Sequence, residues 1–180
     1  WKTVAWDEAS DGVVVPKGAI GFRWGEDGQW NLEEKRSDGT DTHLKLSHID
    51  ASDEVVDVGF PYFGGLEHEL GRFTPNPQED VLYRRVPARR ITLANGEQAL
   101  VASVFDLITA HYGVDRGLDC PNTPRDYEDN RPYTPAWQEQ ITGVPPAHVI
   151  KVARRFAENA HKTHGRSMVI LGAGLNHWYH

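Results

Sequence analysis

A single cysteine, Cys120, stands among the 180 residues, and no Cys-x-x-Cys pair occurs. The chain closes no internal disulfide and cannot hold an iron–sulfur cluster or structural zinc on its own thiolates, which points to a reducing compartment. Methionine is equally scarce: Met168 is the only one and the chain begins at Trp1, so the sequence reads as an internal piece whose targeting is unreadable. No apolar run approaches the roughly 20 residues that span a bilayer. Positive charge is in deficit, with 19 Lys and Arg against 26 Asp and Glu, a net −7, so the chain is no polycation built to hold nucleic acid. What is present, 39% hydrophobic and 25% charged residues, is the composition of an ordinary soluble domain with a real core.

Two grammars divide the chain. Residues 1–103 read as a β-hairpin-rich lobe. The stretch Ala19 to Trp24, a Gly25-Glu26-Asp27-Gly28 loop and Gln29 to Leu32 form one expected hairpin. Arg89 to Leu93, Asn95-Gly96 and Gln98 to Val101 form a second, with the Asn-Gly pair supplying positive φ in a tight turn. Between them, Val55 to Gly65 reads as a loop anchored by Phe60, Tyr62 and Phe63, whose rings either pack it onto the core or line a substrate. In Tyr83 to Arg90, the period of two splits each arginine pair across the sheet, and the strand is expected at a solvated edge.

Residues 104–180 carry helical and α/β signals. Ser103 with Asp106 fits a capping box, Val104, Leu107 and Ile108 share a face, and Gly113 ends that helix. Asp119 to Pro135 is a polar connector. Thr134-Pro135 starts a second helix that Gly143 closes. A third, from Pro146, aligns Val149, Val152, Ala153, Phe156 and Ala160 in an apolar stripe of ten to fifteen residues. After the loop His161 to Arg166, the run Ser167 to Leu171 suits a buried parallel strand leading into a Rossmann-like turn, Gly172-Ala173-Gly174. The expected class is mixed α/β, a β-hairpin lobe followed by helices and this strand and glycine turn.

Chemistry concentrates at the C-terminal end. Gly172-Ala173-Gly174-Leu175-Asn176-His177 begins like a dinucleotide fingerprint, but His177 occupies the third glycine position and disfavours a simple NAD site. The turn serves either a ligand or a plain strand-to-helix connection. Lys151, Arg154, Arg155, Lys162 and Arg166 against Glu158 give residues 145–180 a net +4, while residues 1–144 carry −11. That field suits an anionic ligand, and basic residues late in a helix also complement its dipole. The pairs His161/His164 and His177/His180 have metal-like spacing without the third and fourth ligands that zinc requires. No Gly-x-Ser-x-Gly, P-loop or His-Glu-x-x-His motif occurs.

Tyr133-Thr134-Pro135-Ala136-Trp137 through Ile141-Thr142-Gly143-Val144-Pro145, then Ala153-Arg154-Arg155-Phe156-Ala157, resembles the molybdopterin oxidoreductases. Within that family the chain looks like the catalytic alpha subunits of membrane-bound respiratory nitrate reductases. The strings that carry this are Gly21 to Gly25, Val58 to Gly65, and His164 to Met168 continuing through Gly172 to His180. The resemblance implies reduction of nitrate to nitrite at a molybdenum held by two molybdopterin guanine dinucleotides, with residues 104–180 in the molybdopterin-binding domain. It implies quinol electrons, an iron–sulfur beta subunit, a haem-bearing membrane gamma subunit and a peripheral place on the cytoplasmic side of the cell membrane. By motif, Gly172, Ala173, Gly174, Leu175, Asn176 and His177 match the loop that contacts the pterin. His177 stands where relatives often place glutamine. The aspartate ligand of molybdenum and the His/Cys set of the 4Fe-4S cluster have no counterpart here, so the piece alone is not expected to turn over. A β-rich binding module, or a molybdopterin enzyme for another oxyanion, remains a competing reading.

Overall fold

In a computed structural model, residues 4–14, 43–61 and 81–172 are described. The elements run β1 (Ala5–Asp7), β2 (Gly12–Val14), β3 (Leu44–Lys45), β4 (Glu54–Pro61), β5 (Val81–Thr92), β6 (Gln98–Val101), α1 (Val104–His111), α2 (Pro135–Thr142) and α3 (Pro146–Lys162). The strands form two antiparallel sheets, ordered β2-β1-β3 and β4-β5-β6. Helices and antiparallel sheets together make the mixed class expected. The first expected hairpin, around Trp24 and Trp30, lies outside the described residues.

The second hairpin forms with Thr92 opposite Gln98. Its loop is longer than the two-residue turn expected: Gly96 donates to Leu93 O at 2.9 Å and Leu93 to Glu97 O at 2.8 Å. Only Gly96, at φ +85°, is left-handed, as in a type I turn followed by a glycine bulge. The Val55 to Gly65 loop is corrected over its first part. Glu54–Pro61 is a strand whose burial alternates residue by residue against β5. Gly59 belongs there because a Cβ would lie 2.9 Å from Val81 Cγ1 and 3.3 Å from the Tyr83 ring opposite it. Tyr62 to Gly65 lie outside the described residues.

The expected solvated position of the arginine strand is overturned at Arg84, which is buried, while β5 lies between β4, paired along Val81–Ala88, and β6, paired along Arg89–Thr92. The period of two carries Arg84 inward with Val86 and Ala88, at 1%, 0% and 1% exposure, and is broken at Pro87, which is buried as well. α1 packs against β5, so the core includes a guanidinium as well as methyl groups.

Ser103 caps α1 as expected, with Asp106 N to Ser103 Oγ at 3.0 Å. The buried positions of α1, however, are Asp106 and Ala110, while Val104 and Ile108 are exposed. Thr134, Pro135 and Gly143 cap and close α2. α3 runs 17 residues and packs on α2, yet Val152 and Phe156 of its stripe are exposed. The expected parallel strand is absent: Ser167–Leu171 forms no ladder, and Met168 to Leu171 are 63–83% exposed. A strand exists only where a neighbour takes its backbone hydrogen bonds, and among the described residues none lies beside this segment.

Candidate functional site

The segment leading to Gly172 is set by the end of α3. Thr163 N bonds Asn159 O at 2.9 Å, and Gly165 N bonds Ala160 O at 2.7 Å. His164 and Gly165, at φ +53° and +93°, then reverse the chain. Asn159 Nδ2 donates to Arg166 O at 3.0 Å and to Ser167 Oγ at 2.9 Å, while Ser167 Oγ donates to Phe156 O at 3.0 Å. These bonds hold the start of the apolar run against the helix. At its end, a Cβ on Gly172 would meet no atom of the described residues within 4 Å. Ala173, Gly174, Leu175, Asn176 and His177 lie outside the described residues.

Lys151, Arg154 and Arg155, with Glu158, line a shallow depression along α3 together with Ala147 and Ile150. The basic end seen in the sequence is thus partly gathered on one helix surface. The histidine spacing is not helical, since α3 ends at Lys162 and His164 adopts a left-handed backbone. His177 and His180 lie outside the described residues. Among the described residues, no three His, Cys, Asp or Glu side chains gather in a way that could hold a metal.

Two polar constructions escaped the sequence reading. Asp106, fully buried, accepts from Ser47 Oγ at 2.7 Å, His48 N at 2.8 Å, Ser103 Oγ at 2.8 Å and Arg116 Nη1 at 2.5 Å. Burial pushes its carboxyl upward, but Arg116, the His48 amide and the two hydroxyls outweigh that and hold it below the usual carboxylate range. The Ser103 cap was legible; the partners 58 and 59 residues away were not. Nearby, Phe60 stacks on His111 at 5.0 Å, His111 Nε2 lies 2.8 Å from the Tyr133 hydroxyl, and Tyr133 packs against Trp137. Tyr133, at φ +75°, joins β4, α1 and α2 through these rings. The Tyr133 to Trp137 string therefore has a structural task.

The second construction is a small cavity between β5, α1 and the connector, lined by Arg84 and Cys120 among others. Arg85 Nη1 donates to Leu118 O at 3.2 Å and Asp119 O at 2.9 Å, fastening the connector to β5. Asn122 Nδ2 bonds Tyr83 O at 3.3 Å, and Thr123 N bonds Cys120 O at 3.1 Å. Arg84 Nε, Nη1 and Nη2 are buried without a hydrogen-bond partner.

The geometry defines a mixed α and β segment whose described residues run to Gly172 beyond a basic helix. No protein-family model matches it. By sequence, the whole chain is homologous to one segment of the respiratory nitrate reductase alpha chains. It is 53% identical over 180 residues to the respiratory nitrate reductase 2 alpha chain of Escherichia coli strain K12, covering all of this chain and 14% of that protein. It is 52% identical to the respiratory nitrate reductase 1 alpha chain of the same strain, again over all of this chain and 14% of the relative. The nitrate reductase alpha chain of Bacillus subtilis strain 168 is 41% identical over 99% of this chain and 14% of its own length. The chain thus spans about one seventh of these curated relatives, as a piece of a larger subunit would.

Proposed function

We propose that the chain is part of the catalytic alpha subunit of a respiratory nitrate reductase, which reduces nitrate to nitrite. The observation that supports this reading is identity of 52–53% to two such alpha chains across the entire sequence. In this reading residues 1–103 belong to a β-rich lobe, and 104–180 to the molybdopterin-binding domain. Electrons come from quinol through an iron–sulfur beta subunit and a haem-bearing membrane gamma subunit. The complex sits on the cytoplasmic side of the cell membrane through those partners. Among the described residues no helix is long and apolar enough to cross a membrane.

The cofactor is a molybdenum bis(molybdopterin guanine dinucleotide), accompanied by a 4Fe-4S cluster in the full subunit. The described residues offer no metal-ligand set, so this piece would face the organic part of the cofactor. A glycine at 172 fits that task, because a pterin is flat and rich in hydrogen-bonding edges. When bound, the cofactor supplies the two-electron, oxygen-atom chemistry that turns nitrate into nitrite. Gly172 and Gly174 carry no side chain to obstruct a close approach to their main chain, and Ala173 only a methyl group. Leu175 adds apolar contact, and Asn176 and His177 carry side chains that can donate to or accept from the pterin. Lys151, Arg154 and Arg155 supply positive field for its phosphates.

The test uses the full-length subunit assembled with its partners. His177→Ala is expected to lower molybdenum content or nitrate turnover roughly 10- to 100-fold, the usual cost of losing a contact beside a metal centre. Trp30→Phe is expected to change neither. Molybdenum by mass spectrometry, the Mo(V) paramagnetic resonance signal and turnover with an artificial donor are compared between the two variants. Wild-type values for all three in His177→Ala would remove this residue from the site.

A further inference from the structure

The connector brings the only thiol of the chain to a buried cation. Cys120 is half-buried. Arg84, 1% exposed on the central strand, lines the same cavity with no hydrogen-bond partner for Nε, Nη1 or Nη2. An unpaired buried guanidinium is strongly unfavourable unless a negative group compensates it. Cys120 lines that cavity with Asp115 and with Asp106, whose carboxylate is already engaged by four donors.

We propose that Cys120 is a modification site, a sulfur beside the buried Arg84 guanidinium, which peroxides oxidise to a sulfenic acid and small electrophiles alkylate. The electrostatics agree. Burial pushes the Cys120 thiol up, but amide hydrogen bonds from Arg85 and Asn122, the Thr123 hydroxyl and the Arg84 charge outweigh it, and the net displacement is downward. In return, burial pushes Arg84 below the usual arginine range and Cys120 acts against that. The other charges acting on the pair are Arg131 and Asp129 of the connector, with Arg85, Asp106, Asp115 and Arg116 around the cavity.

In the oxidation, a sulfur lone pair attacks one oxygen of hydrogen peroxide. The S–O bond forms, the O–O bond breaks and hydroxide leaves, taking a proton to become water. Sulfur loses two electrons and the peroxide gains them. The free N–H groups of Arg84 then face a sulfenate oxygen as readily as a thiolate. No second cysteine lies in the chain, so an external small thiol would condense with the sulfenic acid, releasing water and leaving a mixed disulfide.

The experiment follows the Cys120 peptide by mass spectrometry in the full-length subunit within its complex. Pulse alkylation with iodoacetamide across pH is expected to give a midpoint below about 8.5, the ordinary thiol value. Arg84→Gln is expected to raise that midpoint, and Arg84→Lys, which keeps the charge, to leave it low. After hydrogen peroxide, a dimedone adduct is expected on Cys120. A wild-type midpoint at or above the ordinary value, no labelling, or no adduct overturns the proposal without recourse to any variant. So does an unchanged midpoint in folded Arg84→Gln; if that variant does not fold, the wild-type profile and Arg84→Lys decide.

Discussion

Replacing Asp106 by alanine removes one buried acceptor from four donors: Ser47 Oγ, His48 N, Ser103 Oγ and Arg116 Nη1. Breaking a buried ion pair from one side costs about 3–5 kcal/mol, and an unsatisfied amide such as that of His48 about 1–3 kcal/mol. Arg116 keeps Thr109 Oγ1 at 3.2 Å and the Ser47 hydroxyl, so the low end applies. A loss of about 3 kcal/mol is therefore expected, equivalent to roughly 100-fold more frequent opening of α1. Hydrogen–deuterium exchange of the peptide spanning 104–111, measured in the full-length subunit, reads this directly. Asp106→Asn keeps the shape and one oxygen acceptor, and should cost roughly half as much. The pH dependence has a definite sign. Because the folded carboxyl is held below its usual value, its stabilisation is present above that value and is lost as pH falls through the lower folded one. Acid opening of α1 should therefore begin below the ordinary carboxylate range of about 4, and Asp106→Asn should lack that phase. Wild-type exchange in Asp106→Ala, or identical acid opening in Asp106→Asn, would refute the reasoning.

Two glycines with the same backbone sign separate conformational strain from crowding. At Gly96, φ +85° with nothing within 4 Å of a Cβ, alanine should cost about 1–2 kcal/mol, read as faster exchange in the β5–β6 hairpin. At Gly113, φ +73°, a Cβ would lie 2.7 Å from Pro124 Cδ, so Gly113→Ala should add about 1–3 kcal/mol of overpacking, and equal exchange effects at the two sites would refute that ordering. Zinc titration of the full-length subunit should detect no sub-micromolar site that disappears in His161→Ala/His164→Ala, since two histidines without further ligands bind weakly; such a site would restore the metal reading.

Features whose causes lie within a few residues were legible in the sequence. The Ser103 and Thr134 caps, Pro135 at the first helical turn and Gly143 after the last are local events, and the structure contains each. The Asn95-Gly96 hairpin was legible in position, though its loop length depends on a backbone bond from Leu93 to Glu97 that composition does not announce. What escaped depends on partners far along the chain. Val55 to Pro61 looks loop-like because of Gly59 and Pro61, until β5 supplies a ladder and a tyrosine ring over the glycine. Arg84 looks solvated until β4 pairs beside it and α1 and the connector enclose it. The stripe of α3 and the run Met168 to Leu171 have the patterns of covered surfaces, yet the described residues do not cover them. For the candidate site, the basic helix was legible and is present, whereas the bonds through Asn159 and Ser167 that hold the approach to Gly172 were not.

Those bonds make the approach to the glycine turn a passenger of α3. The helix joins α2 at its start through Gly143 to Pro145 and grips Ser167 from Phe156 and Asn159 near its far end. From Pro146 to Asn159 the lever arm is about 20 Å, so a tilt of about 5° at the α2 junction would swing the gripped segment by about 2 Å. Errors of about 1 Å at a reacting centre can cost roughly 100-fold in rate. Under the proposed role of residues 172–177, alignment of Gly172 is then a matter of leverage, set by how α2 and α3 meet at Gly143 to Pro145.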